Sequence, residues 1–511
     1  MKRRVAIVAT VVFSLFLGGM FGHLWAQRSA TLGQSLQLFS RVVGLVLTNY
    51  VESVKPDELI KAGIRGMLES LDPHTAFLDE EDFNELKVRT EAQFGGIGIH
   101  IGMVDDRLTV ISPIEGTPAE REGIRGGDRI AEIEGESTEG FTTSDAVRLL
   151  RGEPGTKVNI GIDRPGVDEL IPVEITRDII NIKAVPYAGM VTEDVGYVRL
   201  ADFSRVATGE LTRALDSLFG AGAERLIFDL RANGGGLLKE GRAVSDLFLP
   251  KGKVIVRTEG RIPDSKREFT AETSGARGEY PMVVLVDRGS ASAAEIVAGA
   301  IQDWERGLIL GDTTFGKGSV QTIHQLGPVT AVKVTTAYWY TPSGRCINRP
   351  RDSNGDLVEA EDDGEETTRK YRTLGELQRE VSGGGAIVPD IYLGYEELAE
   401  LAARVNRSSY FDFAVEYANG HGNLTMDFEA GDAVLEQFRD YLRDVKEIEF
   451  TAAEFDSSRE TFMAQIEREV AGKIAGMRGD YEMRLRRDPH VLRAIELLEN
   501  AESNHGMLAG L

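Results

Sequence analysis

Three segments rich in glycine or serine carry the residues whose types and spacing suit covalent chemistry. They are DLRANGGGL (residues 229–237), DRGSASAAEI (residues 287–296) and FGKGSVQ (residues 315–321). In the first, consecutive glycines let the backbone turn sharply and present N–H groups to an anion. In the second, a serine stands where a strand passes into a helix, and the amides at a helix N-terminus favour a developing negative charge. In the third, glycines let the backbone approach closely around a lysine.

A serine nucleophile needs a neighbouring base, and a lysine is a known alternative to histidine in that role. The lysine must be neutral, so its pKa has to fall from about 10.4 toward 7–8 by desolvation. Lys317 lies between two glycines and close in sequence to the apolar Phe315 and Val320. The pattern therefore predicts Lys317 as the base. A Ser-His hydrolase, with His324 or His100 as its base, is the alternative.

Each segment also has a purely structural interpretation. Glycine-rich loops after strands are commonly only turns, Ser290 and Ser292 both suit a helix N-cap, and most lysines are simply exposed. The run GDTTFGKG (residues 311–318) nearly matches a phosphate-binding loop, but glycine occupies the Ser/Thr position. The residues that follow alternate like a strand instead of opening a helix, so we do not expect nucleotide binding.

The elements that must position these segments are predicted from periodicity. From Asp194 onward strands and helices alternate, which is typical of crossover units and a largely parallel sheet. In such a sheet reactive groups collect beyond the C-terminal ends of the strands, where all three segments fall. Residues 91–180 are instead short β-rich runs with two short helical segments, and residues 31–90 are helical. From about Gly394, EELAELAARV and ETFMAQIEREVAGKIAGM have helical spacing, which we interpret as a packing or oligomerisation appendage.

The N-terminal sequence has the pattern of a membrane anchor. MKRR precedes an apolar run over residues 5–24, which has about the length that a bilayer core requires. The basic residues stay on the cytoplasmic side, which places the remaining chain on the far side. Neither Ala26 nor Ala30 completes a small-x-small cleavage site. The pattern therefore favours an uncleaved signal anchor over a cleaved signal peptide.

Composition restricts the classes of partner and of cofactor. The 511 residues include 58 basic and 82 acidic side chains, a net charge of −24, which argues against a nucleic-acid partner. One cysteine, Cys346, excludes an internal disulfide framework and a cysteine-built zinc site. The acidic residues 359–368 are typical of a solvated surface insertion, and a calcium site there is disfavoured because the EF-hand spacing is absent.

The motifs LDPHTAF, FGGIGI, DLRANGGGL, GSASAAEIVAGA and FGKGSVQT occur in the order found in one family. Over residues 40–393 the chain resembles the C-terminal processing peptidases, also called tail-specific serine peptidases. The resemblance implies that Ser292 is the nucleophile, that Lys317 is the general base and that Gln321 orients this lysine. It also implies an oxyanion hole made by the backbone N–H groups of Gly236 and Ala293. It implies no metal and no organic cofactor.

The same resemblance implies an α/β fold, a crossover α/β peptidase core with an inserted β-rich PDZ domain. The expected regions are residues 1–30, a cytoplasmic basic stub and signal anchor; 31–83, an N-terminal helical region; 84–178, the PDZ domain; 179–393, the serine peptidase core; and 394–511, a helical C-terminal extension. The one departure from the family pattern is Ala294, where many members have a serine, and it affects no assigned role.

A PDZ domain binds an extended C-terminus as an added strand and holds its carboxylate in a backbone nest. The resemblance places this carboxylate loop, and an apolar pocket beside it, on the following residues: Gly95, Gly96, Ile97, Gly98 and Ile99 for the loop, and Ile97, Ile99, Val147 and Leu150 for the pocket. The alternative for the isoleucines is that they only fill the core.

Together these features predict an exported serine endopeptidase held in the bacterial inner membrane by its N-terminal anchor, with its catalytic body on the periplasmic side. Its expected partners are the C-terminal tails of exported or misfolded proteins. The helical tail also suits a homo-oligomer, and an adaptor protein is a further candidate partner. The alternative is a catalytically silent, membrane-anchored PDZ scaffold, which would have little reason to keep Ser292, Lys317, Gln321 and the glycine-rich loop together.

Overall fold

The computed structural model describes residues 32–273, 279–349, 370–383, 385–395 and 397–511. The apolar run at residues 5–24 and the acidic stretch at residues 359–368 lie outside these ranges. Within the described ranges, no helix combines the length and the apolar character needed to cross a membrane. The described residues divide into two compact units, the first made of residues 32–78 and 323–334 and the second of the other described residues.

The described residues contain the following helices: α1 (32–49), α2 (Pro56–Glu69), α3 (Glu80–Glu91), α4 (Pro118–Arg121), α5 (Thr143–Leu150), α6 (Ala207–Gly220), α7 (Leu238–Asp246), α8 (Ala293–Asp303), α9 (Glu400–Arg404), α10 (Arg407–Gly420), α11 (Asp432–Asp444), α12 (Ala452–Ser457), α13 (Arg459–Arg487), α14 (Pro489–Glu499) and α15 (Asn504–Ala509).

The strands are β1 (Ala76–Leu78), β2 (Gln93–Gly96), β3 (Ile99–Val104), β4 (Arg107–Pro113), β5 (Arg129–Ile133), β6 (Glu136–Ser137), β7 (Lys157–Asp163), β8 (Ile171–Thr176), β9 (Asp178–Asn181), β10 (Tyr187–Met190), β11 (Val195–Arg199), β12 (Arg225–Asp229), β13 (Val254–Glu259), β14 (Arg267–Thr270), β15 (Met282–Val286), β16 (Leu308–Gly311), β17 (Ser319–Gln325), β18 (Ala331–Tyr340), β19 (Lys370–Arg372), β20 (Glu380–Ser382) and β21 (Ile391–Tyr392).

The first unit contains α1, α2 and β1, which pairs antiparallel with the start of β18 so that Ala76 lies opposite Lys333. The LDPHTAF motif forms the turn that leads into β1. The Asp72 carboxylate accepts hydrogen bonds from the backbone N–H groups of His74 (2.8 Å) and Thr75 (2.9 Å), the usual way in which aspartate stabilises a turn.

In the second unit, the region expected to be a PDZ domain is an antiparallel sheet of order β3-β4-β5-β7-β8, with β6 paired to β5. Helix α5 begins with a capping box in which Thr142 accepts from the Asp145 amide and the Asp145 carboxylate accepts from the Thr142 amide. Buried aliphatic side chains from the strands, α4 and α5 form one core. Strand β3 is the terminal strand of this sheet.

The central sheet of the second unit has the order β10-β11-β12-β15-β16-β21. Strand β10 is antiparallel to β11, and the other neighbouring strands are parallel. Helices α6, α7 and α8 pack on one face of this sheet around a large apolar core. The expected α/β fold with crossover helices and a largely parallel sheet is therefore confirmed.

The C-terminal extension has two parts. Helices α9 to α12 and the first half of α13 share an apolar core of their own, which includes Phe413, Phe438 and Phe462. Within α13 the helical geometry is broken at Ala475 and Gly476. Beyond the break the chain turns to the central sheet.

The end of α13 and the helices α14 and α15 cover the face of the central sheet opposite α6 to α8. Val491, Ala494 and Leu498 of α14 are fully buried against β-strand side chains such as Ile227 and Leu285. The last helices of the extension therefore pack on the peptidase core, which is one of the two roles expected for this region, while a role in oligomerisation stays a prediction. They complete the core because a parallel sheet needs both of its faces covered.

We expect that replacing Leu498 by alanine will lower the free energy of unfolding by about 2–5 kcal/mol, the usual cost of removing a buried leucine side chain. Leu492, on the same helix but 50% exposed, is the matched control, and its replacement should cost less than about 0.5 kcal/mol. Urea unfolding followed by circular dichroism measures both. Equal effects of the two substitutions would contradict the packing of α14 on the central sheet.

Candidate active site

The three segments identified from the sequence leave three neighbouring parallel strands at the same edge of the central sheet. The loop of residues 230–236 follows β12, the loop of residues 287–292 follows β15, and the loop of residues 312–318 follows β16. Because β12, β15 and β16 are adjacent and parallel, their C-terminal ends lie side by side. The fold therefore brings serine, lysine and glycine-rich backbone together at one place.

The two candidate serines have different environments. Ser290 is fully buried, and its hydroxyl donates to the Leu230 carbonyl at 2.8 Å and accepts from the Asp287 amide at 3.0 Å. Ser292 is partly exposed and occupies the N-cap position of α8. Ser290 thus has a structural role, and Ser292 is the serine that faces the site.

The backbone of Ser292 is strained. Its φ of 55° and ψ of −111° lie outside the regions that L-residues ordinarily adopt. Such conformations persist only where the surrounding structure imposes them, and they are concentrated at active sites. This geometry supports a functional role for Ser292 beyond that of a helix cap.

A buried carboxylate, Glu295, holds the serine and lysine segments together. One of its oxygens accepts hydrogen bonds from the backbone N–H groups of Ser292 (2.7 Å) and Lys317 (2.9 Å). Both amide nitrogens therefore lie within hydrogen-bonding distance of a single oxygen atom. The carboxylate fixes the relative position of the two residues through their main chains.

The other oxygen of Glu295 accepts from the Gly316 amide at 2.7 Å and from the Thr314 hydroxyl at 2.6 Å. The side chain is fully buried, and burial raises its pKa, while the four hydrogen bonds oppose that effect. Sequence reasoning missed this role. The available signal was the S-x-x-E spacing of Ser292 and Glu295, which is typical of a capping box.

Lys317 lies where its flanking glycines are packed tightly. Gly316 has a φ of 86°, and a Cβ there would lie 2.8 Å from a side-chain atom of Arg349. A Cβ on Gly318 would lie 2.7 Å from the backbone nitrogen of Asn348. The Trp339 indole donates to the Lys317 carbonyl at 3.1 Å. A phosphate-binding loop would be followed by a helix. Here strand β17 follows the loop, as the sequence predicted.

Gln321 is on β17, four residues after Lys317. Its side-chain Nε2 donates to the hydroxyls of Ser319 (2.9 Å) and Thr335 (3.3 Å). These contacts fix the plane of the amide group. The orientation of Lys317 by Gln321 stays a prediction.

The glycine-rich loop is built against the serine segment. The Asn233 carbonyl accepts from the Ala291 amide at 2.9 Å, and the Asn233 side chain holds the Gly235 amide at 2.8 Å. Gly235 has a φ of 89°, and a Cβ on it would lie 2.8 Å from the Ser292 Cβ and 2.9 Å from the Ala293 nitrogen. Only glycine permits this approach.

Gly236 follows with a φ of 151° and packs on Phe203, whose carbonyl oxygen would lie 2.6 Å from a Cβ at this position. The loop that carries its amide is thus in contact with the start of α8, where the Ala293 amide lies. This arrangement is compatible with an oxyanion hole formed by the two amides, which remains a prediction.

A buried ion cluster lies at the base of the same loop. Arg231 binds the carboxylate of Asp229 through Nε (3.0 Å) and Nη2 (2.7 Å), and the Tyr197 hydroxyl donates to Asp229 at 2.6 Å. Burial raises the pKa of Asp229, but Arg231, together with Arg199 and the Tyr197 hydroxyl, outweighs this and holds the pKa below its ordinary value. Asp229 and Arg231 belong to the DLRANGGGL motif, but their spacing in the sequence predicted no role for them.

The residues expected to form the PDZ groove fall into two groups. Ile97 and Leu150 are 2% and 4% exposed and belong to the domain core, whereas Ile99 and Val147 are partly exposed. Ile97 therefore fills the core of the domain, which was the alternative to a place in the groove.

The residues expected to form the carboxylate loop are divided between two strands and the turn that joins them. Gly95 and Gly96 lie in β2, which pairs with β9. Gly98, with a φ of 82°, separates β2 from the edge strand β3, and its carbonyl accepts from the Thr117 hydroxyl at 3.0 Å. The positive φ breaks the strand here. Binding of a substrate tail by these residues stays a prediction.

An α/β core with a strained serine at a helix N-terminus, a lysine loop and a glycine-rich loop, together with a PDZ-like β domain, defines a serine-type peptidase. A profile described as "Peptidase family S41" matches residues 194–352, and a profile described as "PDZ domain" matches residues 109–164.

The relatives that this chain matches are also named as proteases. The chain is 40% identical over 350 residues to a carboxy-terminal-processing protease of Bartonella bacilliformis, covering 68% of this chain and 80% of the relative. It is 36% identical over 346 residues to the carboxy-terminal processing protease CtpA of Bacillus subtilis, covering 67% and 73%. A solved photosystem II D1 C-terminal processing protease is 28% identical, with a TM-score of 0.36, over 70% of this chain and 92% of that one. The chain belongs to the carboxy-terminal processing proteases of peptidase family S41.

We expect that Gly235→Ala will lower the rate of peptide cleavage by about 100-fold or more, because its Cβ would push the glycine-rich loop away from Ser292 and Ala293. Gly234→Ala is the matched control, since a Cβ there meets nothing within 4 Å. Its rate should stay within about twofold of wild type. Steady-state cleavage of an unfolded protein measures both variants. An unchanged rate for Gly235→Ala would contradict the contact between the two loops.

Proposed function

We propose that this protease cleaves its substrates with a Ser292–Lys317 dyad. The observation that carries the proposal is the Glu295 carboxylate, which accepts from the main-chain amides of both residues. A proton can pass between a serine and a lysine only if the two side chains are held close together. A carboxylate that fixes both main chains serves this requirement.

In this mechanism neutral Lys317 takes the hydroxyl proton of Ser292 while the oxygen attacks the carbonyl carbon of the substrate. The amides of Gly236 and Ala293 stabilise the oxyanion, and the loss of one such donor typically costs about 3–4 kcal/mol of barrier. Protonated Lys317 then gives its proton to the leaving amine, and the acyl-enzyme forms. Water, deprotonated by Lys317, hydrolyses the ester and restores Ser292. Gln321 orients the lysine throughout. The steps need no metal or organic cofactor.

Substrates enter by their C-termini. The PDZ domain fits the binding of C-terminal peptides, and β3 is a terminal strand along which an extended tail can add. The loop of residues 95–99 would hold the tail's carboxylate, with Ile99 and Val147 contributing apolar contacts. The relatives are named for carboxy-terminal processing, in agreement with this direction of capture.

The protein acts outside the cytoplasm. This part of the proposal is supported by the basic MKRR sequence and the apolar residues 5–24, which suit an anchor in the bacterial inner membrane with the catalytic body in the periplasm. The substrates would then be the tails of exported or misfolded proteins. A homo-oligomer would form through the helical extension, and an adaptor protein is a further candidate partner.

The full-length chain in detergent should cleave an unfolded protein that ends in an apolar tail. Ser292→Ala and Lys317→Ala should each lower the rate by about 1,000-fold or more, because each removes a member of the dyad. His324→Ala is the control and should retain wild-type activity. Amidating the carboxylate of the tail should weaken cleavage, and the wild-type rate should rise with pH as the lysine loses its proton.

Loss of activity in His324→Ala with activity retained in Lys317→Ala would favour a Ser-His hydrolase instead. Tail binding without any cleavage by the wild type would favour the PDZ scaffold. Cleavage that is indifferent to amidation would contradict capture through the free carboxylate.

A further inference from the structure

The C-terminal extension supplies a carboxylate to the base of the catalytic loop. Asp488 accepts from Arg231 Nη1 at 3.0 Å, and its second oxygen lies 2.9 Å from Arg231 Nη2. Arg231 is 1% exposed and stands directly before the residues that form the glycine-rich loop. The contact joins positions 257 residues apart in the chain.

The charges around Arg231 explain why a second carboxylate is needed. Asp229 is shared between two cations, because Arg199 Nη1 lies 3.5 Å from the oxygen that Arg231 also binds. With Asp488 the buried cluster contains two positive and two negative side chains. Without it, a buried guanidinium would have only part of one carboxylate as its partner, which is strongly unfavourable in a poorly hydrated site.

Asp488 is itself held firmly in place. It is the N-cap of α14 and accepts from the amides of His490 (3.0 Å) and Val491 (3.3 Å). Burial raises its pKa, but the neighbouring His490 side chain and the charge of Arg231 outweigh this and hold the pKa well below its ordinary value. Asp488 is therefore an anion fixed to a helix that is packed on the central sheet.

We propose that Asp488 is a positioning residue for catalysis, which fixes Arg231 and through it the loop of residues 232–236 that faces Ser292. The proposal rests on the function assigned above to Ser292 and to the amide of Gly236. The path is continuous, from Asp488 to Arg231, along the loop to Asn233 and Gly235, and from there to the start of α8. It makes the geometry of the oxyanion site dependent on the docking of the C-terminal extension.

Asp488→Asn tests this role because asparagine is as good an N-cap as aspartate but lacks the charge that Arg231 requires. We expect kcat to fall by about tenfold or more while KM stays within about twofold, since the loop contacts the reacting carbonyl and not the tail. Rates are expressed per folded molecule, with folding followed by near-ultraviolet circular dichroism. Asp488→Ser, which also keeps a capping oxygen, is the second variant if the asparagine variant folds poorly.

Asn504→Ala is the matched control for loosening of the extension. The Asn504 side chain also ties the extension to β15, accepting from the Met282 amide at 2.9 Å and donating to the Tyr280 carbonyl at 2.8 Å. These contacts lie at the start of β15, away from the loops. The control should lose thermal stability and keep the wild-type kcat.

Ser292→Ala separates this proposal from the proposed function. If Ser292→Ala still cleaves, the assigned nucleophile is wrong. If Ser292→Ala is inactive and Asp488→Asn has the wild-type kcat, only the positioning role is overturned. A fall in kcat in Asn504→Ala equal to that in Asp488→Asn would also overturn it, because it would reveal a general effect of extension docking.

Discussion

The hydrogen bonds that converge on the buried Glu295 carboxylate are the constraint on which the active site depends. Ser292 and Lys317 lie on loops that follow different strands, so the distance between them is not set by neighbouring positions in the chain. One carboxylate that accepts from both main chains sets it directly. A buried anion is costly unless every lone pair finds a donor, and here the Gly316 amide and the Thr314 hydroxyl complete the set. The strained backbone of Ser292 is tolerated because this network determines it from several sides.

The central sheet makes that convergence possible. Its parallel strands bring three loops to one edge, and helices must then cover both faces. On one face they are the crossover helices α6 to α8. On the other they come from the C-terminal extension, so the core is complete only when the last part of the chain has docked. Asp488 arrives at the catalytic loop as part of that docking.

Much of this organisation could be predicted from the sequence, because the signals are local. Alternating strands and helices predicted the parallel sheet, and the motifs after the strands located the three loops. The contacts of Glu295 with the lysine loop and the contact of Asp488 with Arg231 could not be predicted, since they join residues from 19 to 257 positions apart. The helical period of the extension indicated that its helices have an apolar face. It did not indicate that this face covers the central sheet. For Ile97, burial in a core and exposure in a groove leave the same apolar pattern in the sequence.

The most direct test of the account is the rate at which a fluorophosphonate labels Ser292 in the Glu295→Gln variant. The side-chain NH2 group of a glutamine would face N–H donors that now bind a carboxylate oxygen. These donors would lose their acceptor, so the serine and lysine segments should separate. We predict labelling about 100-fold slower than in wild type, with binding of a tail peptide to the PDZ domain unchanged. Thr314→Val, which removes one donor to Glu295 without touching either main chain, should label only slightly more slowly. Wild-type labelling of Glu295→Gln would contradict the claim that this carboxylate assembles the site.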